Sequence, residues 1–266
     1  MHSNLNDRVY IVTGGSRGFG LAIAGALVQH GARVGLVSRN TAALAAAVAR
    51  LGADRAFAVC MDVNDRADIA RAFAEIKAHF GRLDGIVNNA GLARPGAVET
   101  LDAAEVQAQV GTNLLGTVYC CQAAIPLLRG GDNARIVNVS SASAYHFDEM
   151  AHLSIYAATK AAVERFSRDL RRELQADGIG VTILRPGAAA TEFAAGWDPQ
   201  RFEPALKAWL DQGRLMDVGM DAAHVGATVA YCLCCPPGVS IDLLEVRPFH
   251  QVPKPDPAVL MAQHTA

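Results

Sequence analysis

The sequence predicts an α/β fold in which a doubly wound, seven-stranded parallel sheet carries helices on both faces within a single domain. Three observations lead there. From Arg8 onward, short runs rich in Val, Ile and Leu alternate with Ala-rich segments of helical period. The apolar runs lack strict in–out alternation, as strands covered on both faces do, and intervening helices imply parallel pairing through right-handed crossovers. No linker and no fixed-period repeat divides the 266 residues. The strands expected are Val9 to Thr13, Val34 to Val37, Ala56 to Cys60, Gly85 to Asn88, Arg135 to Ser140, Val181 to Leu184 and Leu243 to Val246. Helices fill the gaps. The rhythm breaks between Ala188 and Met220, a length that marks a functional lid more often than a plain connection. The tail from Pro248, with Pro253, Pro255 and Pro257, reads as irregular or as docked on a neighbouring subunit.

Composition narrows the function classes. At 51% hydrophobic and 19% charged the chain buries a large core, and a formal net charge of -2 with scattered Lys and Arg leaves no basic stripe for nucleic acid. Met1 to Tyr10 lacks the apolar run and cleavage site of a signal peptide, and no stretch has bilayer-spanning apolar length, so a cytoplasmic protein with no membrane partner is expected. The six cysteines carry no pair of Cys-x-x-Cys motifs and read as ordinary buried thiols rather than metal ligands.

The first strand runs into Thr13-Gly14-Gly15-Ser16-Arg17-Gly18-Phe19-Gly20, with an apolar helix expected from near Leu21. Gly14 permits a tight turn, Gly18 lets the backbone approach a pyrophosphate, and Gly20 allows close helix packing, while the helix N-terminus offers amides to the anion. The Gly-x-x-x-Gly-x-Gly spacing resembles that of the short-chain dehydrogenase/reductase family, which has a Rossmann fold, as does Asn88-Asn89-Ala90-Gly91 after the fourth strand. The resemblance implies that Asn89, Ala90 and Gly91 line the adenosine side, and that Asp62 and Val63 contact the adenine. Asp62 also reads as the N-cap of a helix over Asp65 to Phe80, and both readings stand. An acidic residue at the end of the second strand would accept from a free ribose hydroxyl and repel a phosphate. Here that place is held by Ser38, with Arg39 next and Arg17 in the glycine turn, which favours NADP(H) over NAD unless both arginines are merely solvated.

Tyr156 and Lys160 sit at i and i+4 in the opening turns of a predicted helix and share a face. A phenol whose pKa falls toward neutrality exchanges a proton with a carbonyl oxygen, and a nearby ammonium is one source of that fall. The family resemblance makes Tyr156 the general acid or base and has Lys160 also hold the nicotinamide ribose. Asn138-Val139-Ser140-Ser141 ends the fifth strand and resembles the segment with the serine that binds the substrate oxygen. Strand alignment points to Ser141 and the spacing usual in relatives to Ser143, the difference being absorbed by an extended loop, Ala144 to Ser154. Asn113, in the helix after the fourth strand, matches the asparagine that holds a water beside the lysine, or else satisfies backbone groups locally. Pro186, Gly187 and Thr191 resemble the turn and threonine that close over the cofactor.

Phe193, Trp197, Phe202, Trp209, Leu210, Met216 and Met220 populate the long segment, so it either covers a bulky apolar ketone or secondary alcohol or simply pins itself to the body. His146, Asp148, Glu149 and His152 stand in the loop before Tyr156, where they touch a polar end of the substrate or are solvated. The resemblance implies a homodimer or homotetramer, although Leu243 to Pro248 lacks the Asp-Gly-Gly that often marks this region. A rival reading is a dinucleotide sensor or scaffold without chemistry, which would have no need of Tyr156, Lys160, Ser141 and Asn113 together.

Overall fold

Seven parallel strands form one sheet in the order β3-β2-β1-β4-β5-β6-β7 in a computed structural model that describes residues 5–146, 151–189, 191–194, 196–212 and 219–249. They are β1 (Val9–Thr13), β2 (Arg33–Ser38), β3 (Ala56–Cys60), β4 (Gly85–Asn88), β5 (Arg135–Val139), β6 (Gly180–Pro186) and β7 (Leu243–Val246). All five residues of β1 are buried, with Tyr10 and Val12 in one apolar cluster and Val9 and Ile11 in the other. Both faces of the strand are thus covered, which is why its sequence is continuously apolar.

The first cluster joins the sheet to α1 (Gly18–Gln29), α2 (Thr41–Leu51) and α8 (Ala222–Leu233) through Ile23, Leu27, Leu44, Val225 and Val229. The second joins it to α3 (Arg66–Phe80), α5 (Gly116–Leu128) and α6 (Ser154–Glu173) through Phe73, Ile76, Leu128 and Leu170. The fold is a doubly wound Rossmann-type domain with helices on both sides.

Several boundaries differ from expectation for local reasons. Helix α1 begins at Gly18, three residues ahead of Leu21, directly on leaving the glycine turn. β5 ends at Val139, although Ser140 N still donates to Leu184 O at 2.7 Å. Asp62 is not the cap of α3: Asp65 is, its Oδ1 accepting from Ala67 N and Asp68 N. Asp62 instead accepts from Asn64 N and Nδ2, both at 2.9 Å, in the turn before it. Asn113 lies in a π-helical turn, Gly111–Leu115, between α4 (Ala103–Val110) and α5.

The long segment is helical rather than structureless. A parallel bridge between Ala189 and Met220 closes its base, and it carries a short turn at Glu192–Ala194 and α7 (Pro199–Gln212). Asp148, Glu149, Met216 and the tail with Pro253, Pro255 and Pro257 lie outside the described residues, as does the side chain of Leu210.

Gly226 on α8 faces α1 so closely that a Cβ there would stand 2.5 Å from Ala22 O. Gly226→Ala must push the helices apart, and urea denaturation is expected to show a loss of about 1–3 kcal/mol. An unchanged midpoint would mean that the two helices are not held at this distance.

Candidate active site

The strand order reverses between β1 and β4, so the loops leaving them part and open a crevice at the carboxyl edge of the sheet. Thr13 ties the two walls. Its Oγ1 accepts from Asn89 N at 3.0 Å and from Ala90 N at 2.9 Å, and its carbonyl accepts from Asn89 Nδ2 at 2.9 Å. On one wall Gly14 (φ +64°) and Gly18 (φ +53°) adopt left-handed backbone that L side chains avoid. A Cβ at Gly20 would stand 2.1 Å from Gly14 O, so α1 rests on the turn at a distance glycine alone allows. Ser16 and Phe19 are half-buried in this turn. Arg17 is the N-cap residue of α1 but makes no side-chain capping bond, and the first turn holds no acid. A helix start without a side-chain cap or a nearby acid favours an anion.

Gly15 N donates to Val37 O at 3.3 Å and so carries the turn to the end of β2, where Ser38 and Arg39 stand. Ser38 Oγ accepts from Asn40 N at 3.3 Å. Arg17 and Arg39 are both exposed, and no carboxylate occurs from Ser38 to Asn40. Val63 packs against Gly116, where a Cβ would approach its Cγ2 to 2.9 Å. On the other wall, a Cβ at Gly91 would lie 3.3 Å from both Asn113 Oδ1 and Lys160 Nζ, so this glycine lets three elements converge.

Helix α6 presents Tyr156, Lys160 and Glu164, four residues apart, on its buried face. Lys160 Nζ donates to Val139 O at 2.8 Å and stands 5.8 Å from the Tyr156 ring centroid. Ser141 stands beside the Tyr156 phenol, close enough to favour its ionised form. Ser143 stands behind Ser141, donating to its Oγ from N at 3.2 Å and from Oγ at 3.0 Å. Burial pushes the Tyr156 phenol up to about 12, partly offset by Ser141, and pushes the Lys160 ammonium down to about 8. Lys160 Nζ is directed at a main-chain carbonyl, and desolvation is the larger influence on the phenol. Asn113 is fully buried; Oδ1 accepts from Leu92 N at 2.9 Å, and Nδ2 donates to Leu92 O at 2.9 Å and to Thr159 Oγ1 at 3.0 Å. Its side chain therefore serves local groups.

The segment after β6 covers this end. Pro186 closes β6, Gly187 N donates to Val246 O at 2.8 Å, and Thr191 lies over the glycine turn, 3.8 Å from where a Gly18 Cβ would be. Phe193 meets Tyr156 with ring centroids 5.6 Å apart, and Trp197 follows at 5.9 Å. Trp209 donates its indole N–H to Ala151 O, and Arg201 on α7 pairs with Asp102 at 3.0 Å and with Glu105. The segment is pinned to the body at both places. His152 takes a left-handed backbone (φ 62°) in the loop before α6, its carbonyl accepting from Gly96 N at 2.9 Å.

One buried network was not anticipated from sequence. Glu164 accepts from Arg185 Nε at 2.8 Å and Nη2 at 2.6 Å, and from Ser140 Oγ at 2.8 Å, directly before Ser141. Arg185 Nη1 donates to Glu245 at 3.0 Å, and Glu245 meets His146 Nε2 at 2.8 Å. His146 thus turns to β7, and the loop that follows Ser141 is fastened to the sheet edge. The available signal was a carboxylate one turn beyond Lys160 on the same helix face. Arg185 and Glu164 are 8% and 10% exposed, so Glu164→Leu should cost about 3–5 kcal/mol by leaving the guanidinium short of a partner. The double variant Glu164→Leu/Arg185→Met should recover most of that in chemical denaturation. Equal losses in both would show that the pair is not coupled.

Comparison with known proteins places this geometry among relatives. The family model for short chain dehydrogenase matches residues 8–201. An oxidoreductase of Botryotinia fuckeliana is 38% identical over 187 residues, spanning 70% of this chain and 68% of the relative. A short chain dehydrogenase from Burkholderia cenocepacia, solved in complex with NADP, superposes with a TM-score of 0.79 at 31% identity, covering 92% of this chain and 98% of that one. The 3-ketoacyl-(acyl-carrier-protein) reductase from Brucella melitensis, solved with NADH, superposes with a TM-score of 0.79 at 27% identity over 91% of this chain and 98% of the other. Among the described residues, no helix is long and apolar enough to cross a membrane. The chain belongs to the short-chain dehydrogenase family of oxidoreductases.

Proposed function

We propose that this protein is an NADP(H)-dependent oxidoreductase that interconverts a ketone and a secondary alcohol on an apolar, fairly bulky substrate. The observation that carries the reading is Tyr156, beside Ser141 and one helical turn from Lys160, beneath Phe193 at the end of a glycine-lined crevice.

The residues present fit a dinucleotide. The cradle that a Cβ at Gly20 would fill, the uncapped start of α1 and Thr191 above Gly18 suit a pyrophosphate; Asn89, Ala90, Asp62 and Val63 are assigned to the adenosine end, and Gly91, beside Lys160, to the nicotinamide side. Arg17 and Arg39, with Ser38 in place of an acid, suit a ribose 2′-phosphate. When bound, the dinucleotide supplies or takes the hydride at the substrate carbon. Ser141 then donates a hydrogen bond to the substrate oxygen, and Tyr156 delivers the proton that the developing alkoxide needs. A protonated phenol at neutral pH has the proton to give when a carbonyl is reduced. Transfer is downhill, since an alkoxide is a far stronger base than a phenolate. Lys160 keeps most of its positive charge at neutral pH and stabilises the phenolate left behind. Asn113 acts by holding Leu92 and Thr159, hence the surroundings of Lys160, in place. Phe193 and Trp197, ranged outward from Tyr156, help keep water from the reacting oxygen.

Purified protein mixed with NADPH and a panel of aliphatic, aromatic and polycyclic ketones should oxidise the cofactor, and Tyr156→Phe should lower turnover at least about a hundredfold while leaving NADPH affinity unchanged. Turnover that survives Tyr156→Phe would overturn the assignment. Replacing Arg17 or Arg39 by Ala should each weaken NADPH about tenfold and leave NADH binding unaltered. Equal losses for both cofactors, read by fluorescence titration, would remove the 2′-phosphate role.

A further inference from the structure

Among the described residues, five buried side-chain polar atoms lack a hydrogen-bond partner: Arg33 Nε, Asn88 Oδ1, Gln109 Nε2, Arg135 Nε and Trp197 Nε1. Four belong to side chains whose other polar atoms are engaged. Arg33 donates to Asp7 O, Arg135 to Cys235 O and Pro236 O, Asn88 to Asn138, and Gln109 accepts from Arg94 N. Trp197 differs, since the indole N–H is the whole polar capacity of its side chain. Trp209, in the same aromatic cluster, donates its N–H to Ala151 O. Trp197 is ringed by Phe193, Phe202 and Trp209 at 5.9, 5.2 and 6.2 Å, and none of these rings offers a lone pair. A phenylalanine would fill such a place without an unmet donor.

The position of this donor gives it a use. Trp197 is the second ring out from Tyr156, through Phe193, with steps of 5.6 and 5.9 Å. We infer that Trp197 Nε1 is a specificity contact for the far end of the substrate, which is an apolar ketone carrying a second, uncharged hydrogen-bond acceptor, an ether or carbonyl oxygen, several bonds from the reacting carbon. The inference rests on the carbonyl-reduction reading above and names the substrate class for that site. A substrate entering between Phe193 and Tyr156 supplies the lone pair that the cluster lacks. A site built to hydrogen-bond such an atom discriminates against the analogue without it, because the donor is then left unpaired.

The test uses matched ketones in which a ring CH2 is replaced by an ether oxygen. One such pair is 4-cyclohexylbutan-2-one and 4-(oxan-4-yl)butan-2-one, with shorter- and longer-chain pairs to vary the reach. Dissociation constants are measured by calorimetry on the intact protein with oxidised NADP, where no turnover occurs, for the wild type and for Trp197→Phe. In at least one pair the ether-to-carbocycle affinity ratio should be roughly five- to tenfold higher in the wild type than in the variant. The same ratio in both proteins for every pair overturns the inference. Turnover of the same ketones with NADPH is followed in parallel, so ether-selective binding without turnover would sink the proposed reaction and leave the indole contact standing.

Discussion

Both halves of the site hang on Thr13, a buried residue at the last position of β1. The strand order reverses beside it, and a reversal leaves two loops with nothing between them unless some group bridges the gap. Thr13 Oγ1 accepts two successive amides of the β4 loop, and its carbonyl takes the Asn89 side chain. The glycine turn and the Asn89–Gly91 segment are thereby held at one separation. A crevice of fixed width follows, and everything proposed for a dinucleotide depends on that width. The same tie crowds Gly14, where a Cβ would come within 3.1 Å of Asn89 Nδ2 and of Ala90 Cα on a backbone of φ +64° that L side chains already avoid.

A second constraint acts at the other end of the crevice. A buried ion pair stands beside the chemistry: Glu164 grips Arg185 and Ser140 and leaves Lys160 to a main-chain carbonyl. Buried ion pairs are poor sources of net stability but good at fixing one arrangement, since any shift leaves a charge without a partner. Here the arrangement fixed is the end of β5, and with it Ser141 against Tyr156. Burial makes desolvation the dominant influence on both titrating groups.

The legible part of the molecule was the part written in local sequence. The strands emerged within two residues of their ends because Val, Ile and Leu runs between turn residues leave little choice, and the glycine turn because its backbone demands glycine. What stayed hidden depends on long-range pairing. Glu164 reads as an ordinary charge on an amphipathic helix until β6 places Arg185 beside it. Asp62 and Asp65 both suit a helix cap, and the helix start at Arg66 decides between them. The π turn around Asn113 has no local signature in the sequence. Helix α7 did have a signal that was passed over, Asp198 before Pro199, with Asp198 Oδ1 accepting from Gln200 N at 2.9 Å.

The central claim is that a hydride moves between a nicotinamide and a carbonyl carbon beside Tyr156. NADPH deuterated at the transferable C4 position, incubated with a bulky ketone and the protein, tests it most directly by mass spectrometry of the alcohol. The account predicts one deuterium on the carbinol carbon of each alcohol formed. An unlabelled carbinol carbon, or labelled NADPH bound at saturation and left intact with every ketone tried, would contradict it.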